Sequence, residues 1–82
     1  MRVMAARFRS LTGARAALVK LRKRFGLRED EADAASMRNG AVLAGQFREE
    51  FIPDVTAIIR EYNGRIVANF AKELTEPWSR RR

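Results

Sequence analysis

The chain has 82 residues, no cysteine, no histidine and a formal net charge of +7 at pH 7. A chain of this length forms one domain with a small core, and without cysteine or histidine it lacks disulfides and the usual zinc, haem and iron–sulfur ligands. Its longest uncharged stretch has nine residues, 39–47, too few for a membrane-spanning helix. We expect a cytoplasmic protein without a cofactor.

The charge is divided along the chain. Residues 1–28 carry a net charge of +9, residues 29–79 carry −5 and residues 80–82 carry +3. The basic segment suggests nucleic acid, an anionic membrane surface or an acidic protein as a partner, although the two halves can also attract each other within the fold. Its composition resembles that of a mitochondrial transit peptide, but we interpret it as part of the folded domain.

A first helix is predicted at about residues 3–25. Its apolar seam, at intervals of three and four residues, consists of Leu11, Ala14, Leu18, Leu21 and Phe25. A shorter stripe of Met4, Phe8 and Leu11 extends the helix backward. Gly26 stands where a left-handed residue ends a helix, after a basic last turn and before four acidic residues in 29–33. The reversal of charge therefore indicates that one helix ends and another begins here.

Two shorter helices are predicted next. The second, at about 29–38, is rich in alanine and is capped by Asn39–Gly40. The third, at about 41–51, carries Leu43 and Phe47 on one face.

A fourth helix is predicted at about 53–74, with Pro53 in its first turn. Apolar residues from Val55 to Phe70 fall within an arc of about 120° on a helix. The pair Asn63–Gly64 is also a strong hairpin signal, but a period of two would place Arg60 among apolar residues, so the helix is favoured. Whether this pair breaks the helix or forms a hairpin turn stays open.

These elements predict an all-α fold. Residues 1–76 would form one bundle of three or four helices, with homodimerisation through the Val55–Phe70 stripe as one way to complete it, followed by a basic tail at residues 77–82.

Catalysis is not expected. Histidine, the commonest acid–base residue, is absent, and Ser10, Ser36 and Ser79 have no activating neighbours. No phosphate-binding loop or calcium loop is present.

The preferred function is therefore a non-enzymatic regulator that binds another protein, for example an antiactivator that captures a transcription factor. Surplus aromatic and apolar residues beside arginines are typical of interfaces. The candidate interface residues are Phe51, Ile52, Ile59, Tyr62, Ile66, Phe70, Leu74, Trp78, Arg15 and Arg22.

The alternative function is nucleic-acid binding through the basic N-terminal helix and the C-terminal tail. Basic residues opposite the apolar seam would face phosphates. The candidate residues are Arg2, Arg9, Lys20, Lys23, Arg24, Arg80, Arg81 and Arg82.

Overall fold

A computed structural model describes residues 1–71, which contain four strands and two α-helices. The elements are β1 (Arg2–Phe8), α1 (Leu11–Phe25), β2 (Ala32–Met37), β3 (Gly40–Phe47), α2 (Ile52–Glu61) and β4 (Arg65–Ala71). A single 3₁₀ turn, Glu49–Phe51, precedes α2. The prediction of an all-α helical bundle is wrong, because the four strands form one antiparallel sheet in the order β2-β3-β1-β4 and the protein has an α+β fold.

The sheet interleaves two β-α-β units. Helix α1 connects β1 to β2, helix α2 connects β3 to β4, and each unit leaves a gap that one strand of the other unit fills. This is the split β-α-β arrangement. Both helices lie on the same face of the sheet and contact each other, so the opposite face has no helix over it.

The first predicted helix is confirmed from Leu11 to Phe25 and wrong before it. The Ser10 side chain caps α1 by accepting a hydrogen bond from the Gly13 backbone N–H at 3.2 Å, and Gly26, at φ +64°, ends the helix. Three basic residues fill the last turn, as the helix dipole favours. Residues 2–8 form β1, in which the buried residues Met4, Ala6 and Phe8 alternate with residues on the other side of the sheet.

The second and third predicted helices are wrong. Residues 32–37 and 40–47 are instead the two strands of a hairpin, β2 and β3, joined by Arg38 and Asn39. Gly40, at φ +134°, follows this turn, and a Cβ there would collide with the carbonyl oxygen of Phe8. The acidic run before β2 forms a turn in which Glu31 Oε1 accepts a hydrogen bond from the Arg28 backbone N–H at 2.7 Å.

The fourth predicted helix is confirmed only in its first half. Helix α2 begins at Ile52, with Pro53 in its first turn, and ends at Glu61. Asn63 then adopts a left-handed conformation at φ +66°, and β4 starts at Arg65. Asn63–Gly64 thus ends a helix and is not a hairpin turn between two strands. The last residues of the predicted helix, 72–74, which include Leu74, lie outside the described residues.

The hydrophobic core fills the space between the sheet and the two helices. Its larger buried side chains are Met4, Phe8, Leu18, Leu21, Leu43, Phe47, Val55, Ile58 and Ile59. Ala14 and Ala17 of α1 are fully buried, and their small side chains let the helix pack closely on the sheet. Within residues 1–71, no polar or charged residue is buried in this core.

Candidate functional site

The face of the sheet that the helices leave uncovered is the candidate site, and we call it the open face. Side chains alternate along each strand, so the residues between the buried positions point to this face. It comprises Val3, Ala5, Arg7, Asp33, Ala35, Met37, Val42, Ala44, Gln46, Arg65, Ala68 and Phe70.

Exposed apolar side chains lie on both edge strands of the open face, β2 and β4. Phe70 is 55% exposed and Met37 is 44% exposed. A bulge opposite Ala5 and Ala6 in β1 adds Val67 to β4, and this side chain is 51% exposed. Four strands about 4.8 Å apart and about seven residues long give the whole open face, charged residues included, an area of roughly 450 Å².

One end of the open face is an acidic groove. This recess of about 480 Å³ is lined by Val3, Asp30, Glu31, Asp33, Ala44, Gln46 and Phe70, together with Ala32 and Gly45. Asp30 and Glu31 lie 3.5 and 4.0 Å from the Arg28 guanidinium. Asp33 accepts only the Ala34 backbone N–H, at 2.8 Å, within the described chain. No group of three or more carboxylates in residues 1–71 is arranged to hold a metal ion. The acidic residues give this end of the open face negative charge.

The opposite end is basic, and we call it the arginine corner: Arg7, Arg9 and Arg65. These arginines line a recess of about 360 Å³ with Phe8, Asn39 and Asn63. Arg7 and Arg65 are direct neighbours across β1 and β4, an arrangement that is unfavourable for two like charges. No carboxylate in residues 1–71 forms an ion pair with any of the three.

The structure divides the predicted interface residues between the core and the surface. Ile59 is 1% exposed and belongs to the core, and Ile52, Tyr62 and Ile66 pack against that core. The Val55–Phe70 stripe is therefore no single helical surface.

Two aromatic residues of the predicted interface have different surroundings. Phe51 stacks on Phe25 with ring centroids 4.8 Å apart, so it closes the edge of the core. Phe70 alone lies on the open face, and Trp78, like Leu74, lies outside the described residues.

The two arginines of the predicted interface lie on α1, away from the open face. Arg15 is exposed. The Arg22 Nη2 donates hydrogen bonds to the backbone carbonyl oxygens of Ala32 at 2.8 Å and Glu29 at 3.4 Å. Arg22 therefore attaches the start of β2 to the helix.

The predicted nucleic-acid residues do not form one basic helical face. Arg2 lies on β1 and donates a hydrogen bond to Asn69 Oδ1 at 3.0 Å. Lys20 forms an ion pair with Glu61 at 3.0 Å, and Arg24 forms one with Asp54 at 3.4 Å. Lys23 remains on α1, Arg9 lies in the arginine corner, and Arg80, Arg81 and Arg82 lie outside the described residues.

Sequence reasoning missed most of the open face. The available signal was the alternation of Val3, Ala5 and Arg7 with buried residues in β1, repeated by Val42, Ala44 and Gln46 in β3. Many of these positions hold alanine, so the two faces differ little in hydrophobicity and the alternation is a weak signal. The pairing of Arg7 with Arg65 depends on sheet topology and has no local signal.

Comparison with family models, curated proteins and solved structures gives no match for this chain. In residues 1–71, neither helix combines the length and the apolar character needed to cross a membrane.

Proposed function

We propose that this protein is a non-enzymatic, cytoplasmic binding protein that docks another polypeptide on its open face and acts by stoichiometric binding. The observation that carries the proposal is a sheet face that no helix covers, with apolar residues on its central strands and Phe70 55% exposed on edge strand β4. This replaces the helical stripe as the binding surface, because that stripe is largely buried.

The arrangement of charge supports a polypeptide partner. Interfaces place apolar side chains at the centre and polar or charged side chains at the rim. Here Ala5, Val42 and Ala44 lie on the two central strands, while Asp33 and Arg65 lie on the two edge strands. Charges of both signs at the rim give a partner a fixed orientation.

Site-specific photo-crosslinking in the native cell tests this proposal. A photoreactive residue at Ala44, in the middle of the open face, should give a covalent adduct with another polypeptide. The same residue at Val19, which is 53% exposed on α1, is the matched control and should give little adduct. Equal yields from both positions, or no adduct from Ala44, would contradict the proposal.

Nucleic-acid binding at the arginine corner is a second candidate function. The observation in its favour is that Arg7, Arg9 and Arg65 lie together without an ion-pair partner in residues 1–71, and Arg60 lines an adjoining recess of about 520 Å³. Such a cluster suits the phosphate backbone.

If the arginine corner binds duplex DNA or RNA, log K should fall linearly with log salt, with a slope of about −0.9 for each phosphate neutralised. Fluorescence anisotropy at several salt concentrations measures this slope. Arg9→Glu should make the slope shallower by about one. Arg15→Glu, on exposed α1, is the control and should leave it nearly unchanged; an equal effect of both variants would indicate a diffuse charge effect only.

A further inference from the structure

We infer that the C-terminal segment, residues 72–82, docks in the acidic groove of its own molecule, with Trp78 on the apolar wall and the arginines at 80–82 beside the carboxylates. The inference rests on the proposed function, because the segment then competes with the partner for this end of the open face. It depends on where β4 ends, on the order of side chains in the segment and on the length of the segment.

Strand β4 ends beside the acidic groove. Phe70 pairs with Val3 in β1, and Val3 pairs with Gln46 in β3. The backbone carbonyl oxygen of Glu31 accepts a hydrogen bond from the Gln46 backbone N–H at 2.9 Å, so this row of residues continues to the β2 side of the sheet. All four residues line the groove. The groove therefore crosses the sheet at the end where β4 finishes with Ala71, and the segment that follows Ala71 begins next to it.

The order of side chains in the C-terminal segment matches the order of surroundings along the groove. Phe70 and Val3 lie on β4 and β1, near the start of the segment, whereas the carboxylates lie at the β2 side. A chain that crosses from β4 to β2 therefore passes apolar side chains first and carboxylates last. In the sequence, Trp78 precedes three consecutive arginines at 80–82. The indole ring and the cations thus meet complementary surroundings when the segment runs in this direction.

The carboxylates of the groove outnumber the cations paired with them in residues 1–71. Asp30 and Glu31 share the Arg28 guanidinium, at 3.5 and 4.0 Å. Asp33 is exposed, and its hydrogen bond within the described chain comes from the Ala34 backbone N–H. An arginine can lay its aliphatic stem along an apolar wall while its guanidinium binds a carboxylate through two hydrogen bonds. The three arginines at 80–82 therefore complement this side of the groove.

The apolar side of the groove has room for the ring of Trp78. The recess measures about 480 Å³, and sites of roughly 300–1,000 Å³ hold molecules larger than an indole. Phe70 presents a ring that is 55% exposed. Two aromatic rings in contact stabilise each other beyond the apolar area that they bury. Docking of Trp78 would therefore cover the most exposed aromatic ring of the open face.

The C-terminal segment is long enough to cross the groove. Three gaps between strands measure about 14 Å in all, and a chain above the sheet lies about 10 Å from it, so the path is roughly 24 Å. Arg80 is nine residues beyond Ala71, and at about 3.3 Å per extended residue it can reach about 30 Å. Because the segment is attached to β4, its effective concentration at the groove is of millimolar order, so weak contacts are enough to hold it there.

A pair of introduced cysteines tests the docking in the purified full chain, which has no cysteine of its own. Ala44→Cys in the groove and Ser79→Cys beside Trp78 form the groove pair. The matched control combines Ser79→Cys with Val19→Cys, because Val19 is 53% exposed on α1, on the other side of the sheet. In a glutathione redox buffer the groove pair should close into an intramolecular disulfide at least about tenfold faster than the control pair, since docking raises the effective concentration of the second thiol.

A change of charge in the groove tests the part played by the arginines. Adding Asp33→Lys to the groove pair should slow closure about fivefold, because the lysine repels the arginines at 80–82 that the carboxylate attracts. Glu49→Lys, which replaces an exposed carboxylate outside the groove, is the control and should leave the rate unchanged. Circular dichroism of the reduced variants shows whether each is folded, and Val3→Cys is a second groove position that can take the place of Ala44→Cys.

Three results would overturn the inference: closure of the groove pair no faster than the control pair, equal effects of Asp33→Lys and Glu49→Lys, or disulfide-linked dimers in place of closed monomers. The proposed function can fail separately. If the groove pair closes but Ala44 gives no photo-adduct in the cell, the segment docks and the partner is excluded. If Ala44 gives an adduct and the groove pair does not close, the proposed function stands and the docking is excluded. If both occur, Trp78→Ala should increase the Ala44 adduct severalfold, and an unchanged yield would contradict the competition.

Discussion

Replacing Phe47 with alanine should lower the free energy of unfolding by about 3–5 kcal/mol, the usual cost of removing a buried phenylalanine ring. Phe47 is 1% exposed at the end of β3 and is among the largest fully buried side chains in the described residues. Small domains have a total stability of about 5–15 kcal/mol, so this change removes a large part of it. Urea unfolding followed by circular dichroism measures the loss.

Phe70→Ala is the matched control for Phe47→Ala. The same ring is removed, but Phe70 is 55% exposed on the open face, so the monomer should lose less than about 1 kcal/mol. If both variants lost a similar free energy of unfolding, measured at a concentration where the chain is monomeric, the assignment of Phe47 to the buried face and Phe70 to the open face would be wrong.

An arginine introduced into β3 should unfold the protein at one position and be tolerated at another position nearby. Ala41 faces the helices and is 1% exposed, so Ala41→Arg would bury an unpaired charge. The cost of several kcal/mol is comparable with the whole stability of a domain of this size. We expect this variant to be unfolded at 25 °C, with loss of its ellipticity.

Ala44→Arg adds the same side chain to the open face, three residues further along the strand. Ala44 is exposed, so the variant should keep its circular dichroism spectrum, with a change in stability within about 1 kcal/mol. Normal folding of Ala41→Arg, or loss of structure in Ala44→Arg, would contradict the assignment of faces.

The sequence predicted the two helices more accurately than the strands. In α1, five apolar residues at alternating intervals of three and four fit only a helix, and Gly26 marks its end. In α2, Pro53 marks the first turn, and the spacing of Val55, Ile58 and Ile59 fits a helix. The lengths of these patterns made the element type clear.

The strands were misassigned because their large apolar residues are four apart. Leu43 and Phe47 in β3, like Met4 and Phe8 in β1, share a face in a strand as well as in a helix, since four is both an even number and close to one helical turn. The intervening inward positions hold Ala6 and Gly45, which carry little hydrophobic signal.

The two Asn-Gly pairs show why local signals did not settle the fold. The first pair, Asn39–Gly40, predicts the end of a helix, but the chain forms a hairpin turn at Arg38–Asn39, just before Gly40. At Asn63–Gly64, where a hairpin was considered, the chain instead leaves α2 and enters β4. The sheet partners of both strands lie far away in sequence, and no local pattern identifies them.

The sequence predicted the residues of the candidate site even less well than the strands. Within residues 1–71, Phe70 is the one predicted interface residue on the open face, and Arg9 is the one predicted nucleic-acid residue in the arginine corner. The charge division along the chain suggested an electrostatic partner, but the juxtaposition of Arg7 with Arg65 arises from strand order alone.

The central position of β1 also affects how the chain folds while it is being synthesised. Its two neighbours are β3 and β4, so β1 waits for the synthesis of residues 65–71 before both of its edges are hydrogen-bonded. Pairings so distant in sequence slow folding, and Met4 and Phe8 stay accessible to chaperones until most of the described chain has emerged. Translation that stalls before β4 would leave a nascent chain with an open backbone edge, which is the form most prone to aggregate.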